Sequence, residues 1–223
     1  MRIHVSLIIC LTSLSSLTLT PTNAQPRTFV PLEFEYPESV LAIPKTYVYK
    51  NLVTGSFRYK DLAYEKKGTD VVINWKEYDG SALVDSCRSI NDKTIDHYMI
   101  LNGRAIKAIV AEDSVHVDGS RLGEKIQTIY FNLDPNISLF ASSRSFFLKD
   151  TTISWQEKSV PCLVIQSFYR QQLTNSLFPD KPKEVNGIAY YYFGKNVGLL
   201  MYRTELGNEK LTWQLVEIKD RKN

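Results

Sequence analysis

The stretch Leu199-Leu200-Met201-Tyr202-Arg203-Thr204-Glu205-Leu206-Gly207-Asn208-Glu209-Lys210-Leu211-Thr212-Trp213-Gln214-Leu215-Val216 reads as two β-strands joined by a two-residue turn. Gly207-Asn208 supplies residues that tolerate the positive φ of tight hairpin turns. A two-residue turn dictates register, so the partners can be written down. Tyr202 then faces Trp213 and Leu200 faces Leu215, while on the reverse side Glu205 faces Lys210 and Leu199 faces Val216. Aromatic pairs and opposite charges thus fall where cross-strand pairing rewards them.

The same grammar extends towards the N-terminus. Asp79-Gly80 and Asn102-Gly103 are further two-residue turn signals, and Asp118-Gly119 is another. Around Asp79-Gly80 the expected partners are Trp75 with Val84, Ile73 with Ser86 and Lys76 with Leu83. Around Asn102-Gly103 they are Leu101 with Arg104, Met99 with Ile106, Tyr98 with Lys107 and Ile95 with Val110. From Thr46 onward, short β-branched and aromatic runs alternate with turn dipeptides at spacings of about 8 to 14 residues, the pattern of an all-β meander. The expected fold class is mainly β, an antiparallel meander forming an open half-barrel or strongly curved sheet with few or short helices.

The first 24 residues read as a secretory leader: Arg2 begins it, an apolar run softened by Ser13, Ser15 and Ser16 follows, and Thr22-Asn23-Ala24 offers small residues for cleavage. The run is too short and polar for a membrane-spanning helix of about 20 apolar residues. The expected location is therefore periplasmic or extracellular. Residues 25–45, rich in proline, read as an extended N-terminal arm, since proline neither donates to a ladder nor sits inside a helix. Residues 46–223 read as a single antiparallel β domain. The 27 Lys and Arg nearly balance the 24 Asp and Glu, which leaves no electrostatic footprint for nucleic acid. Beyond the leader two cysteines remain, Cys87 and Cys162. Export permits a disulfide between them, and two buried thiols fit equally well.

Catalytic signatures are sparse. No Gly-x-Ser-x-Gly elbow, His-Glu-x-x-His pair, phosphate-binding glycine loop or Cys-x-x-Cys occurs. His97 falls on the apolar face of its hairpin opposite Ala108, and His116 points away from Val115 and Val117. Neither has a partner constellation, so no catalytic residue, metal site or cofactor is expected. Glu112-Asp113 reads as a solubilising pair, and Asn136-Ile137-Ser138 as a turn that also matches a glycosylation sequon.

The feature above background is the spacing of aromatics. Tyr47 and Tyr49, Ile73 and Trp75, Ile153 and Trp155, and Tyr190 and Tyr192 each stand two apart and share a face of their strand. Such residues fill a core or line an apolar mouth. The segment Tyr191-Tyr192-Phe193-Gly194-Lys195-Asn196-Val197-Gly198-Leu199-Leu200-Met201-Tyr202, followed by Trp213-Gln214-Leu215-Val216, resembles the ending of bacterial exported proteins of unknown function that share the half-barrel fold of periplasmic lipoprotein-localisation carriers. The resemblance implies an incomplete barrel around an apolar cavity, with a helical plug. Alternation, missing catalytic groups and this ending together point to an exported, non-enzymatic protein. It would hold a hydrophobic ligand, a lipid or a lipoprotein acyl chain, against Ile73, Trp75, Met99, Trp155, Tyr190 and Tyr192. The other class these features fit is a structural or adhesion-type β module of the cell envelope acting through protein contacts.

Overall fold

The computed structural model describes residues 29–35, 43–68, 70–91, 93–118 and 121–221. The expected leader lies outside them. Thirteen strands follow one helical turn: α1 Leu32–Glu35, β1 Lys45–Asn51, β2 Phe57–Lys67, β3 Asp70–Asp79, β4 Ala82–Ile90, β5 Lys93–Leu101, β6 Arg104–Lys107, β7 Ile109–Asp118, β8 Arg121–Asn132, β9 Ile137–Trp155, β10 Lys158–Asn175, β11 Lys183–Gly194, β12 Gly198–Leu206 and β13 Glu209–Asp220. They form one antiparallel sheet in the order β6-β5-β4-β3-β2-β1-β13-β12-β11-β10-β9-β8-β7. Every strand therefore pairs with its neighbour in sequence, apart from the β1–β13 pair and the break between β6 and β7. The sheet curls into a nearly closed barrel, which brings the expected curved meander most of the way round.

The two edges meet without a continuous ladder. Thr94 of β5 donates its backbone N–H to Asp113 Oδ2 of β7 at 2.7 Å, and Gln127 Nε2 of β8 donates to Thr94 Oγ1 at 2.8 Å. His97 and Phe131 meet edge to face across the same seam, with ring centroids 5.4 Å apart. Beneath it Ile106, Ala108, Ile129 and Phe131 form a buried cluster backed by Met99, Val110 and Leu139. Asp113, expected to solubilise, has a side chain only 5% exposed. The reason is tertiary: closure carries β5 over it.

The hairpin registers divide instructively. The C-terminal one holds from Leu206–Glu209 to Met201–Gln214, with Tyr202 opposite Trp213 and Glu205 opposite Lys210, and the ladder stops short of the expected Leu200–Leu215 pair. A bulge in the β1–β13 ladder follows at Val216, so the ladder does not continue to the Leu199–Val216 pair. Around Asn102-Gly103 the pairs from Leu101–Arg104 to Tyr98–Lys107 hold, and both turn residues have positive φ. Ala108 N–H still donates to His97 O at 2.8 Å, opposite which the sequence places it; beyond it the chain leaves β5, and Val110 pairs with Ile129 of β8, not with Ile95. The Asp79-Gly80 register is corrected. The turn is Gly80-Ser81, with positive φ at Gly80 and Asp79 opposite Ala82. A turn with glycine in first place needs positive φ only there, whereas an Asp-Gly turn would impose it on Asp79 too. A bulge at Val84 adds a further shift, so Trp75 faces Cys87 and Ile73 faces Ser89. The loop after Asp118 lies outside the described residues.

One end of the barrel is capped by the β9–β10 hairpin tip, which wraps across β12 and β13. Trp155 Nε1 donates to Leu215 O at 3.1 Å, and Val160 and Cys162 join Leu200 and Leu215 in the main buried cluster. Gly194 is required there, because a Cβ would come within 2.4 Å of Leu200 Cδ1. The described part of the N-terminal arm enters from this end. Asn196 N–H donates to Glu33 O at 2.7 Å, while Phe29 and Val30, both buried, pack against Ile165, Val115, Tyr191 and Phe193. The plug is thus a short segment around a single helical turn.

Candidate functional site

Strand alternation decides which side chains enter the lumen. Register pairs Leu62 with Trp75, Trp75 with Cys87 and Cys87 with His97, so these share the inner face with their neighbours two residues along. On β2 that face carries Arg58, Lys60, Leu62 and Tyr64, two cations on an otherwise apolar stripe. On the opposite wall Ile165 pairs with Tyr191, and Leu163 with Phe193.

These inward faces do not fill the space between them. A cavity of about 250 Å³ is walled by Ile73, Trp75, Ile165, Tyr191, Phe193 and Leu199, with Phe29 and Val30 of the plug on one side. Polar groups reach it from Lys60, Lys125, Ser89 and Ser145. A second lobe of about 210 Å³ shares Lys60, Tyr191 and Leu199 and extends along Tyr49, Arg58, Glu77 and Tyr202. The two lobes share Lys60, Tyr191 and Leu199 as a common wall, and each alone falls short of the roughly 300 Å³ at which small-ligand pockets begin.

The aromatic wall is continuous. Tyr202 stacks on Trp213 at 6.1 Å and on Tyr191 at 6.4 Å, and Tyr49 meets it edge-on at 5.7 Å. Tyr49 donates its hydroxyl to Leu199 O at 2.9 Å and Tyr47 donates to Val197 O at 3.1 Å, so both phenols satisfy themselves across β13. The hydroxyls of Tyr169 and Tyr191 bond to each other. Burial pushes the Tyr169 phenol up to about 12 and raises those of Tyr47 and Tyr202 as well.

The charges of the lumen are held in place. Arg58 bonds Glu77 at 3.1 Å and lies over Trp213, 4.5 Å from the ring centre. Lys60 Nζ sits 4.3 Å above Trp75. Lys125 approaches Asp113 Oδ1 at 3.6 Å, and His97 Nε2 bonds Asp85 at 2.9 Å. Cys87 sits among these groups. Burial raises its thiol to about 11, with Lys60 pulling it down and Asp85 pushing it up. Cys162 belongs to the capping cluster on β10, and burial raises its thiol too. In the structure Cys87 and Cys162 are free thiols on β4 and β10. Among the described residues no three His, Cys, Asp or Glu side chains gather as a metal site.

Of the six expected ligand contacts, Ile73 and Trp75 reach the lumen. Met99 packs on the seam cluster, and Trp155 on the cap. Tyr190 and Tyr192 take the opposite face of β11 from Tyr191 and Phe193, as their partners Gln166 and Val164 require. A strand aromatic at four successive positions carries no parity signal, so only pairing with β10 could orient it. The missed residues include Lys60, Lys125, Ile165, Tyr191, Phe193, Leu199 and the Phe29-Val30 plug. A signal for the first existed in the alternation of Arg58 and Lys60 with Leu62 and Tyr64. A groove of similar size on the outer face of β2 to β5 is lined by groups that pair with neighbours, Asp61 with Arg221 at 3.5 Å and Asp96 with Lys107 at 2.7 Å.

No family model matches the chain, and no curated protein matches it significantly. Solved structures do share its fold. A candidate lipoprotein of Parabacteroides distasonis is 15% identical, with a TM-score of 0.52 over 83% of this chain and 98% of that one. A candidate exported protein of Bacteroides fragilis, described as having a YmcC-like fold, is 10% identical, with a TM-score of 0.51 over 84% of this chain and 99% of that one. At such identities the likeness is one of fold. It agrees with the barrel expected from the closing hairpin.

Proposed function

We propose that this chain is an exported, non-enzymatic barrel that holds a hydrophobic ligand, a lipid or a lipoprotein acyl chain, in its lumen. The observation that carries the reading is the unfilled two-lobed space behind Trp75, Tyr191 and Phe193. A barrel built only for shape would pack these walls together, as it does at the seam. The leader-like start and the fold shared with proteins described as exported or as a lipoprotein support the location. Native mass spectrometry and solvent extraction of purified protein, followed by titration with a neutral naphthylamine probe, test the reading. Co-purifying lipid, or probe binding that a filled-lumen variant such as Ile73→Trp abolishes, is the expected result. An empty protein that binds the probe no better than a globular control would end it.

A second reading, a module acting through protein contacts, draws on exposed apolar side chains in two loops at the end of the barrel away from the plug. Leu52 and Val53 are 54% and 69% exposed, and Leu177 and Phe178 are 65% and 61% exposed. Their replacement by aspartate would leave probe binding intact while removing any partner.

A further inference from the structure

We infer that the part of the seam where β5 and β7 face each other is a side door to the lumen, latched by Asp113, through which a hydrophobic ligand enters and leaves. This rests on the lumen-binding reading above and specifies the route to that site.

The seam has two unlike halves, because β6 and β7 are successive parts of one path that changes partner on the way. β6 pairs with β5, and Ala108 N–H still donates to His97 O at 2.8 Å. From Ile109 the path pairs with β8 and runs past β5 without a ladder. Around the crossing, Ile106, Ala108, Ile129 and Phe131 fill the space with apolar side chains. Beyond it, between residues 93–96 of β5 and 112–116 of β7, the join is polar. Thr94 N–H donates to Asp113 Oδ2 at 2.7 Å, and Gln127 Nε2 donates to Thr94 Oγ1 at 2.8 Å and to Asp113 Oδ2 at 3.3 Å. One carboxylate and one side-chain amide thus do the work that a ladder does elsewhere.

The closed latch carries a cost of its own. Asp113 Oδ1 is buried and accepts no hydrogen bond, while the Lys125 ammonium approaches it at 3.6 Å. A buried oxygen left short of a hydrogen bond raises the energy of the closed arrangement, and opening to water relieves it. Few bonds and no ladder make local opening cheaper here than between two laddered strands. Directly behind the latch lies the larger lobe of the lumen. Ser89, the β4 partner of Thr94, and Lys125, the β8 partner of Val115, both border it. Parting β5 from β7 therefore opens the lobe between these two residues. Its other walls offer no such gap, since β2 with β3, and β10 with β11 and β12, are joined by ladders. A ligand that moves sideways also leaves the Phe29-Val30 plug in place.

The test fixes or frees the latch and follows exchange of the neutral naphthylamine probe by stopped flow. In a Cys87→Ser, Cys162→Ser background, Thr94→Cys and Asp113→Cys place two thiols across the seam, to be joined by a disulfide or, failing that, by dibromoacetone. Joining them should slow probe association and dissociation together by at least about 10-fold and leave the equilibrium affinity within about twofold. Reducing the disulfide should restore both rates. Asp113→Ala, checked for folding by circular dichroism, should speed both. Rates that do not change on joining the thiols overturn the inference and leave a hydrophobic lumen entered from another side. A locked protein whose association slows while its dissociation does not also overturns it, since a door acts on both rates alike. Wild-type rates in Asp113→Ala overturn the assignment of the latch to this carboxylate. Failure of the wild-type protein to bind the probe removes the underlying reading itself.

Discussion

The seam and the lumen are built from the same strands yet packed in opposite ways. At the seam Ile106, Ala108, Ile129 and Phe131 meet directly and are each under 9% exposed. In the lumen Trp75 stands across open space from Tyr191 and Phe193, whose rings lie 6.4 Å apart on the opposite wall, with lysines among them. Close packing is the ordinary state of a protein interior. On the lumen-binding reading proposed above, a space kept open by large rigid aromatics and charged side chains would serve the ligand more than stability. The seam does the opposite work, joining two edges that no continuous backbone ladder joins.

The largest expected effect that separates the regions is Phe131→Ala. It empties a filled seam and should cost about 3–5 kcal/mol in urea unfolding, the usual loss for a buried aromatic. Probe affinity of the fraction that remains folded should be unchanged. Asp113→Asn comes next. It weakens the acceptor for the Thr94 N–H and leaves Lys125 without its counter-charge at the seam, so about 1–3 kcal/mol of stability should be lost. Faster amide exchange in β5 and β7 than in β1 and β13 would locate the damage, and uniform exchange would mean that closure does not depend on this carboxylate.

Phe29→Ala should cost less, no more than about 2 kcal/mol, because its neighbours already border open space. It should raise the longest alkyl chain that the lumen accepts, read as a shift in the optimum across a carboxylate series. The smallest effect concerns the thiols. Folding raises Cys87 and Cys162 from the ordinary 9.0 to about 11, because burial disfavours the thiolate. Their contribution to stability is fully present below about pH 9 and is lost as pH rises through about 11. Native protein at pH 8 should react with a thiol reagent far more slowly than unfolded protein, and Cys87→Ser with Cys162→Ser should flatten the alkaline limb of the stability curve.

How far the residues disclose the barrel depends on the range of the forces involved. The C-terminal hairpin was legible because Tyr202, Trp213, Glu205 and Lys210 are set by a two-residue turn within a few positions of each other. At Asp79-Gly80 the same reasoning slipped, since Gly80-Ser81 competes for the turn and the bulge at Val84 leaves no mark in the local pattern. Tyr190 to Phe193 defeats periodicity altogether. Of the candidate lumen, Ile73 and Trp75 followed from alternation on one strand. Tyr191, Phe193, Lys125 and the plug could not, because each is defined by a strand or segment far away in the chain.

The amino-acid sequence by itself determined the strands, most of their turns and hence the meander, because alternation and turn chemistry act over a few residues. Only the tertiary structure decided that β5 and β7 meet through Asp113, that Phe29 and Val30 enter the lumen, and which face of β11 looks inward. Those outcomes depend on curvature accumulated over thirteen strands. Twist adds a little at every pairing, and whether the total closes a barrel, and around how much empty space, is a property of the whole sheet.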